Sequence, residues 1–139
     1  MPIQVIVYVL TALAAVVVVL TRLRLGKDEG AGHFNVGRTV LLLHTTAGGL
    51  ALITWVVFLL ANEDSPLGGE VMGIVALGLW WVVTLCGLLI LVRWLPSHGR
   101  HADVIEDTWS EGPGLSILAH VGMLVGVLVF TYAYLKALV

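Results

Sequence analysis

The fold is decided by a stretch near the middle of the chain, residues 71–92, which reads VMGIVALGLWWVVTLCGLLILV and contains no charged side chain. A helix rises about 1.5 Å per residue, so a stretch of this length can cross the roughly 30 Å hydrocarbon core of a bilayer. Every backbone amide inside that core must be hydrogen-bonded, so even a run rich in β-branched residues is expected to be helical. The stretch therefore predicts a transmembrane helix.

Three further uncharged runs lie on either side of this stretch, at residues 1–21, 39–62 and 112–135. Each is long enough to span a bilayer. The first run has no positively charged segment before it, so we expect it to be retained rather than removed as a signal peptide. We predict an all-α membrane protein, a four-transmembrane-helix bundle in one domain of residues 1–139, with helices at about 2–22, 38–62, 70–94 and 113–136.

The composition excludes several classes of protein. Of the 139 residues, 59% are hydrophobic and only 12% are charged, whereas soluble domains have roughly 25% charged residues. A net charge of −2 with seven Lys and Arg offers no basic face for phosphates, so no nucleic-acid partner is expected. Cys86 is the only cysteine, which excludes an internal disulfide.

The positive side chains predict how the chain sits in the membrane. None lies between the second and third helices, where Glu63, Asp64 and Glu70 are found instead. Positive residues concentrate in cytoplasmic loops. We therefore expect a multi-pass protein of the plasma (inner) membrane with both termini on the outer side, because the first and third gaps contain Arg22, Arg24, Lys27, Arg38, Arg93 and Arg100.

Two histidines are the most informative polar residues of the predicted spans. His44 lies on the second helix and His120 on the fourth, and these two helices run in the same direction through the membrane. Counted from helix starts near Thr39 and Gly114, both histidines are about 8–9 Å deep. An unpartnered polar side chain in hydrocarbon costs several kcal/mol. We therefore expect both rings to face the interior of the bundle and to share one partner.

An iron porphyrin suits such a pair, because haem iron commonly takes axial histidine and the flat macrocycle buries a large apolar surface. Haem b is the predicted cofactor, with His44 and His120 as its iron ligands. Small residues beside the histidines, Gly48 and Gly122, would let the helix backbone approach the ring. The anionic propionates would face the nearer cytoplasmic edge, where the predicted partners are Arg38, Arg93 and Arg100.

On these residues the chain resembles the membrane b-type cytochromes of the cytochrome b561 group, in which histidines on the second and fourth helices of a four-helix core hold haem. The resemblance covers all four helices and consists of His44, His120 and the small residues beside them. It implies electron transfer to or from a quinone or a protein partner. The family usually has a second histidine pair near the opposite face, and here the other histidines, His33, His98 and His101, lie in the gaps.

The histidine pair has other interpretations. The two rings could hydrogen-bond helix to helix without a ligand, and the arginines could act only as cytoplasmic anchors. A copper site would add the soft ligands Met123 and Cys86. The third gap could hold a short helix along the membrane surface at 102–109, or a metal cluster formed by His98, His101, Asp103, Glu106 and Asp107.

Two other functions fit the same pattern. One is a cofactor-free accessory subunit of a larger respiratory membrane complex, and the other is a small protein that handles or senses a metal or haem. The expected partners are the lipid bilayer and a quinone, a redox protein or a complex, with a homo-oligomer also allowed. The sequence predicts no catalytic residue.

Overall fold

The computed structural model describes residues 2–27, 38–94 and 113–139, which form four α-helices and, within those ranges, no strand. Each helix contains a segment long and apolar enough to cross a membrane. The predicted all-α fold with four helices of membrane-spanning length is therefore confirmed. The helices are α1 (Ile3–Lys27), α2 (Arg38–Leu60), α3 (Glu70–Trp94) and α4 (Pro113–Leu135).

The first helix is longer than the uncharged run that predicts it. It continues past Thr21 to Lys27, so Arg22 lies within α1 rather than in the gap that follows it. Leu and Arg are good helix formers, and no helix-breaking residue lies between Thr21 and Gly26. A charged side chain ends a hydrophobic span but does not end a helix. The predicted span of about 2–22 therefore corresponds to the apolar segment Ile3–Leu23, and the helix itself continues to Lys27.

Neighbouring helices are antiparallel and pack in the order α1, α2, α3, α4 and back to α1. Two indole hydrogen bonds join adjacent helices: Trp55 Nε1 donates to Thr11 Oγ1 between α2 and α1, and Trp81 Nε1 donates to Thr131 Oγ1 between α3 and α4, both at 3.1 Å. This order places α2 and α4 diagonally across the bundle. Side chains on those two helices can therefore meet only at the bundle axis.

A nine-residue turn, 61–69, keeps α2 and α3 close together. A side chain at Gly68 would collide with the backbone carbonyl of Asn62, so only glycine fits there. Ser65 Oγ donates to the Asn62 carbonyl at 2.6 Å. The hydroxyl of Tyr134 donates to the Glu70 carbonyl at 2.8 Å, which holds the end of α4 beside the start of α3.

The packed core fills the half of the bundle next to this turn. Trp55, Trp80 and Phe130 are almost completely buried, and the Trp55 and Phe130 ring centroids are 4.8 Å apart. The outer surface is apolar along every helix: Leu13, Ile53, Leu89 and Leu118 are each more than half exposed. A surface of this kind suits hydrocarbon rather than water.

Candidate functional site

The structure brings the two predicted histidines together. His44 of α2 and His120 of α4 face each other across the bundle, with ring centroids 6.0 Å apart and ring planes 19° from parallel. Both lie in the half of the bundle opposite the aromatic core, six residues after the start of α2 and seven after the start of α4. The diagonal arrangement of α2 and α4 explains why rings from non-adjacent helices can meet there.

A third helix reaches the same point through Gly87 of α3. A β-carbon built on Gly87 would lie 2.7 Å from Cδ2 and 3.2 Å from Nε2 of His120, and 3.0 Å from Cε1 of His44. The two imidazole edges therefore converge on the Gly87 α-carbon, and only a glycine leaves them room. Gly87 was not among the site residues predicted from sequence, although it lies seven residues from the end of α3, at the same depth as the histidines.

The histidines border a cavity of about 610 Å³ that is lined by residues of all four helices. Four predicted site residues contribute to its wall: His44, His120, Gly48 and Gly122. Most of the remaining wall is apolar and comes from α1, α3 and α4, including Leu10, Ala14, Val17, Val83, Met123 and Phe130. The cavity is thus mainly hydrophobic, with the paired imidazoles near one end.

Three buried polar atoms in this wall have no hydrogen-bond partner within the described residues: Nδ1 of His44, Nε1 of Trp80 and Oγ1 of Thr84. The Val83 carbonyl lies near the His44 ring but does not meet hydrogen-bond geometry with Nδ1. Leaving a buried polar group unpaired costs about 1–3 kcal/mol. All three atoms border the cavity, so an occupant with polar atoms of its own could satisfy them.

Arg22 supplies a positive charge at the mouth of the cavity. Its Nη2 donates to the backbone carbonyl of Thr45, the residue after His44, at 3.1 Å. The side chain is otherwise exposed and forms part of the cavity wall. Of the predicted anion partners, Arg38 begins α2 and Arg93 lies in the last turn of α3, but their side chains, like all of Arg100, lie outside the described part.

The glycines of α4 border open space rather than a neighbouring helix. A β-carbon on Gly122 or Gly126 would meet nothing within 4 Å, and both glycines line the cavity. One on Gly48 would lie 3.9 Å from Cγ1 of Val83, which is ordinary contact. This small-residue stripe therefore widens the cavity instead of bringing two helices into close contact.

Within the described residues, the copper interpretation gains no further ligands. Within residues 2–27, 38–94 and 113–139 no group of three or more His, Cys, Asp or Glu is close enough to hold a metal ion. Met123 lines the cavity, whereas Cys86 of the copper interpretation is half-buried on α3 and does not. The proposed cluster at His98 and His101, the surface helix at 102–109, and His33 lie outside the described residues.

Comparison with known proteins gives no family for this chain, since no family model, no curated protein and no solved structure matches it.

Proposed function

We propose that this chain is a membrane b-type cytochrome that binds one haem b through His44 and His120 and passes electrons to or from a quinone or a protein partner. The observation that carries this proposal is the pair of near-parallel rings with centroids 6.0 Å apart beside a cavity of about 610 Å³. A metal–imidazole nitrogen bond is about 2 Å long. At a centroid distance of 6.0 Å, both rings would therefore be able to hold one iron.

Each neighbouring residue has a defined task in this proposal. When bound, haem supplies an iron that gains or loses one electron. Gly87 leaves space for both imidazole edges, and Gly48 and Gly122 leave space for the macrocycle. Apolar side chains such as Val17 and Val83 exclude water from the cavity and lower the local polarity, which is one of the means by which a protein sets a haem potential.

Arg22 is the proposed anchor for the anionic edge of the cofactor. It is the one arginine with a described side chain that lines the cavity, and it already reaches the backbone beside His44. Guanidinium groups form strong charge-assisted hydrogen bonds with carboxylates. Arg38, Arg93 and Arg100 remain the predicted additional partners, because their sequence positions place them near the same end of the bundle.

The distribution of charge supports a plasma (inner) membrane location with the histidine end at the cytoplasmic side and both termini outside. Arg22 and Arg24 lie at that end, while Glu63 and Asp64 occupy the 61–69 turn at the other. Positive residues favour the cytoplasmic face. With a single haem near one face, transfer across the whole bilayer requires a mobile carrier or a partner protein.

The absorption spectrum of the purified protein tests this proposal. Chain produced with ample haem is expected to show the reduced-minus-oxidised bands of low-spin haem, at one haem per chain. The pyridine haemochrome assay and protein concentration give that ratio. A protein that stays colourless under these conditions overturns the cytochrome proposal and leaves the cofactor-free accessory subunit.

Replacing Arg22 with glutamine is expected to weaken haem retention about twofold to fivefold, because exposed charge pairs contribute only about 0.2–1 kcal/mol. Transfer of haem to apomyoglobin measures the loss. Arg22→Lys keeps the charge and should lose less than Arg22→Gln. Lys136→Gln removes a positive charge at the opposite end of the bundle and should retain haem like the wild type. Equal haem retention by Arg22→Gln and wild type would show that Arg22 does not contribute to haem binding.

A further inference from the structure

The deep end of the cavity contains two polar groups that the histidine site does not use. Trp80 and Thr84 lie one turn apart on α3 and both line the cavity, with 0% and 3% of their surface exposed. Trp80 is seven residues from Gly87, which is about 10 Å along the helix axis. Thr84 therefore lies between the histidine level and the middle of α3, and Trp80 lies two residues beyond that middle.

The indole of Trp80 is unusual among its neighbours. Trp55 and Trp81 each donate their Nε1 hydrogen to a threonine hydroxyl on an adjacent helix, whereas Trp80 Nε1 has no partner in the described part of the chain. An indole N–H can only donate. A molecule that satisfies it must therefore present an acceptor atom.

Thr84 departs from the behaviour of the other threonines in the same way. In six other helical threonines the hydroxyl donates to the carbonyl four residues earlier, which satisfies it without any ligand. Thr84 Oγ1 makes no such bond and is unpartnered among the described residues. Its hydroxyl is therefore free to donate into the cavity. The six threonines are Thr11, Thr21, Thr45, Thr46, Thr54 and Thr131.

The rim of the cavity opens on the apolar outer surface. Leu13 and Leu20 of α1 and Leu118 of α4 line the cavity and are 57%, 58% and 69% exposed. All three lie in segments long and apolar enough to cross a membrane. A molecule that enters beside these leucines comes from hydrocarbon, so it must be soluble in lipid.

We propose that the deep end of the cavity binds a lipid-soluble quinone, with Trp80 Nε1 and Thr84 Oγ1 donating hydrogen bonds to one ring carbonyl oxygen. A quinone combines the required properties: an apolar ring for walls such as Leu10, Ala14 and Phe130, a carbonyl acceptor, and solubility in the bilayer. The role of this quinone as an electron partner rests on the proposed haem site. Its binding to Trp80 and Thr84 does not.

The test measures binding of decylubiquinone, a short-chain benzoquinone, to the full chain in lipid nanodiscs by equilibrium dialysis. Trp80→Phe and Thr84→Val are each expected to raise the Kd about threefold to tenfold, as the loss of one hydrogen bond predicts. Thr84→Ser keeps the hydroxyl and should bind like the wild type. Trp81→Phe and Thr54→Val alter groups that already have partners outside this site, so they should leave the Kd unchanged.

Folding and function are separated by two further readouts. Trp80→Phe removes an unpartnered donor but also packing volume from the core. Its melting temperature without quinone is therefore the reference, and the rise in melting temperature on adding decylubiquinone should shrink. Equal affinity of wild type and a Trp80→Phe, Thr84→Val double variant, or no saturable binding by wild type, overturns the proposal. Quinone binding and the haem spectrum are both measured on wild type made with and without haem, which distinguishes the two sites. If the protein binds quinone but shows no haem bands, only the cytochrome proposal is contradicted. If it shows haem bands but does not bind quinone, only the quinone site is contradicted.

Discussion

Gly87→Ala is expected to abolish most haem binding while leaving the four-helix bundle folded. The added methyl would lie 2.7 Å from Cδ2 of His120 and 3.0 Å from Cε1 of His44, so at least one ring must leave its position. Overpacking of this kind costs about 1–3 kcal/mol, which corresponds to a fall in haem affinity on the order of tenfold to a hundredfold. Haem per chain, measured from the reduced-minus-oxidised spectrum, reports the effect.

Gly78→Ala provides a matched control on the same helix. A β-carbon on Gly78 meets nothing within 4 Å, and in both variants alanine raises helix propensity by about 1 kcal/mol. Circular dichroism should therefore show the same helix content in both proteins, and Gly78→Ala should melt at or above wild type without haem, while only Gly87→Ala loses haem. Full haem content in Gly87→Ala would mean that the rings do not converge on α3 when the cofactor is bound.

The four helices could be predicted from sequence because a bilayer imposes one requirement on every span, an apolar run of about 20 residues with its backbone hydrogen-bonded internally. This requirement locates residues 71–92 without any knowledge of their neighbours. It gives no information on where a helix stops once it has left the hydrocarbon. Only the structure therefore shows that α1 extends to Lys27. This extension is what places Arg22 beside Thr45.

The histidine pair could be located because depth along a helix is a simple count from its end. The same count applied to α3 would have selected Gly87, which lies seven residues from Trp94. The direction in which a residue faces around the helix axis is harder to predict from sequence, because a helix that is apolar on every side shows no preferred face. The sequence could not predict that Trp80 Nε1 and Thr84 Oγ1 lack hydrogen-bond partners, because this depends on how the other three helices pack around them.

His44→Ala and His120→Ala are each expected to eliminate the low-spin haem bands. The two imidazoles come from different helices and meet at a centroid distance of 6.0 Å, so no other described histidine can replace the one that is lost. Each variant also leaves a space the size of an imidazole in the cavity wall. Added imidazole should therefore restore part of the low-spin spectrum, which a purely structural role of the histidines would not produce.

A triple variant with His33, His98 and His101 replaced by alanine controls for the other histidines of the chain. It should keep both the bands and the ratio of one haem per chain, because the proposed ligation depends only on the two rings within the bundle. Loss of the bands in the triple variant, together with their survival in His44→Ala, would show that histidines in the gaps bind the haem instead. Unchanged bands in both single variants would rule out the paired ligation. An accessory subunit instead predicts a colourless wild type that co-purifies with partner subunits, and this co-purification should not change in either single variant. These outcomes differ because only the cytochrome requires both His44 and His120 to hold one cofactor.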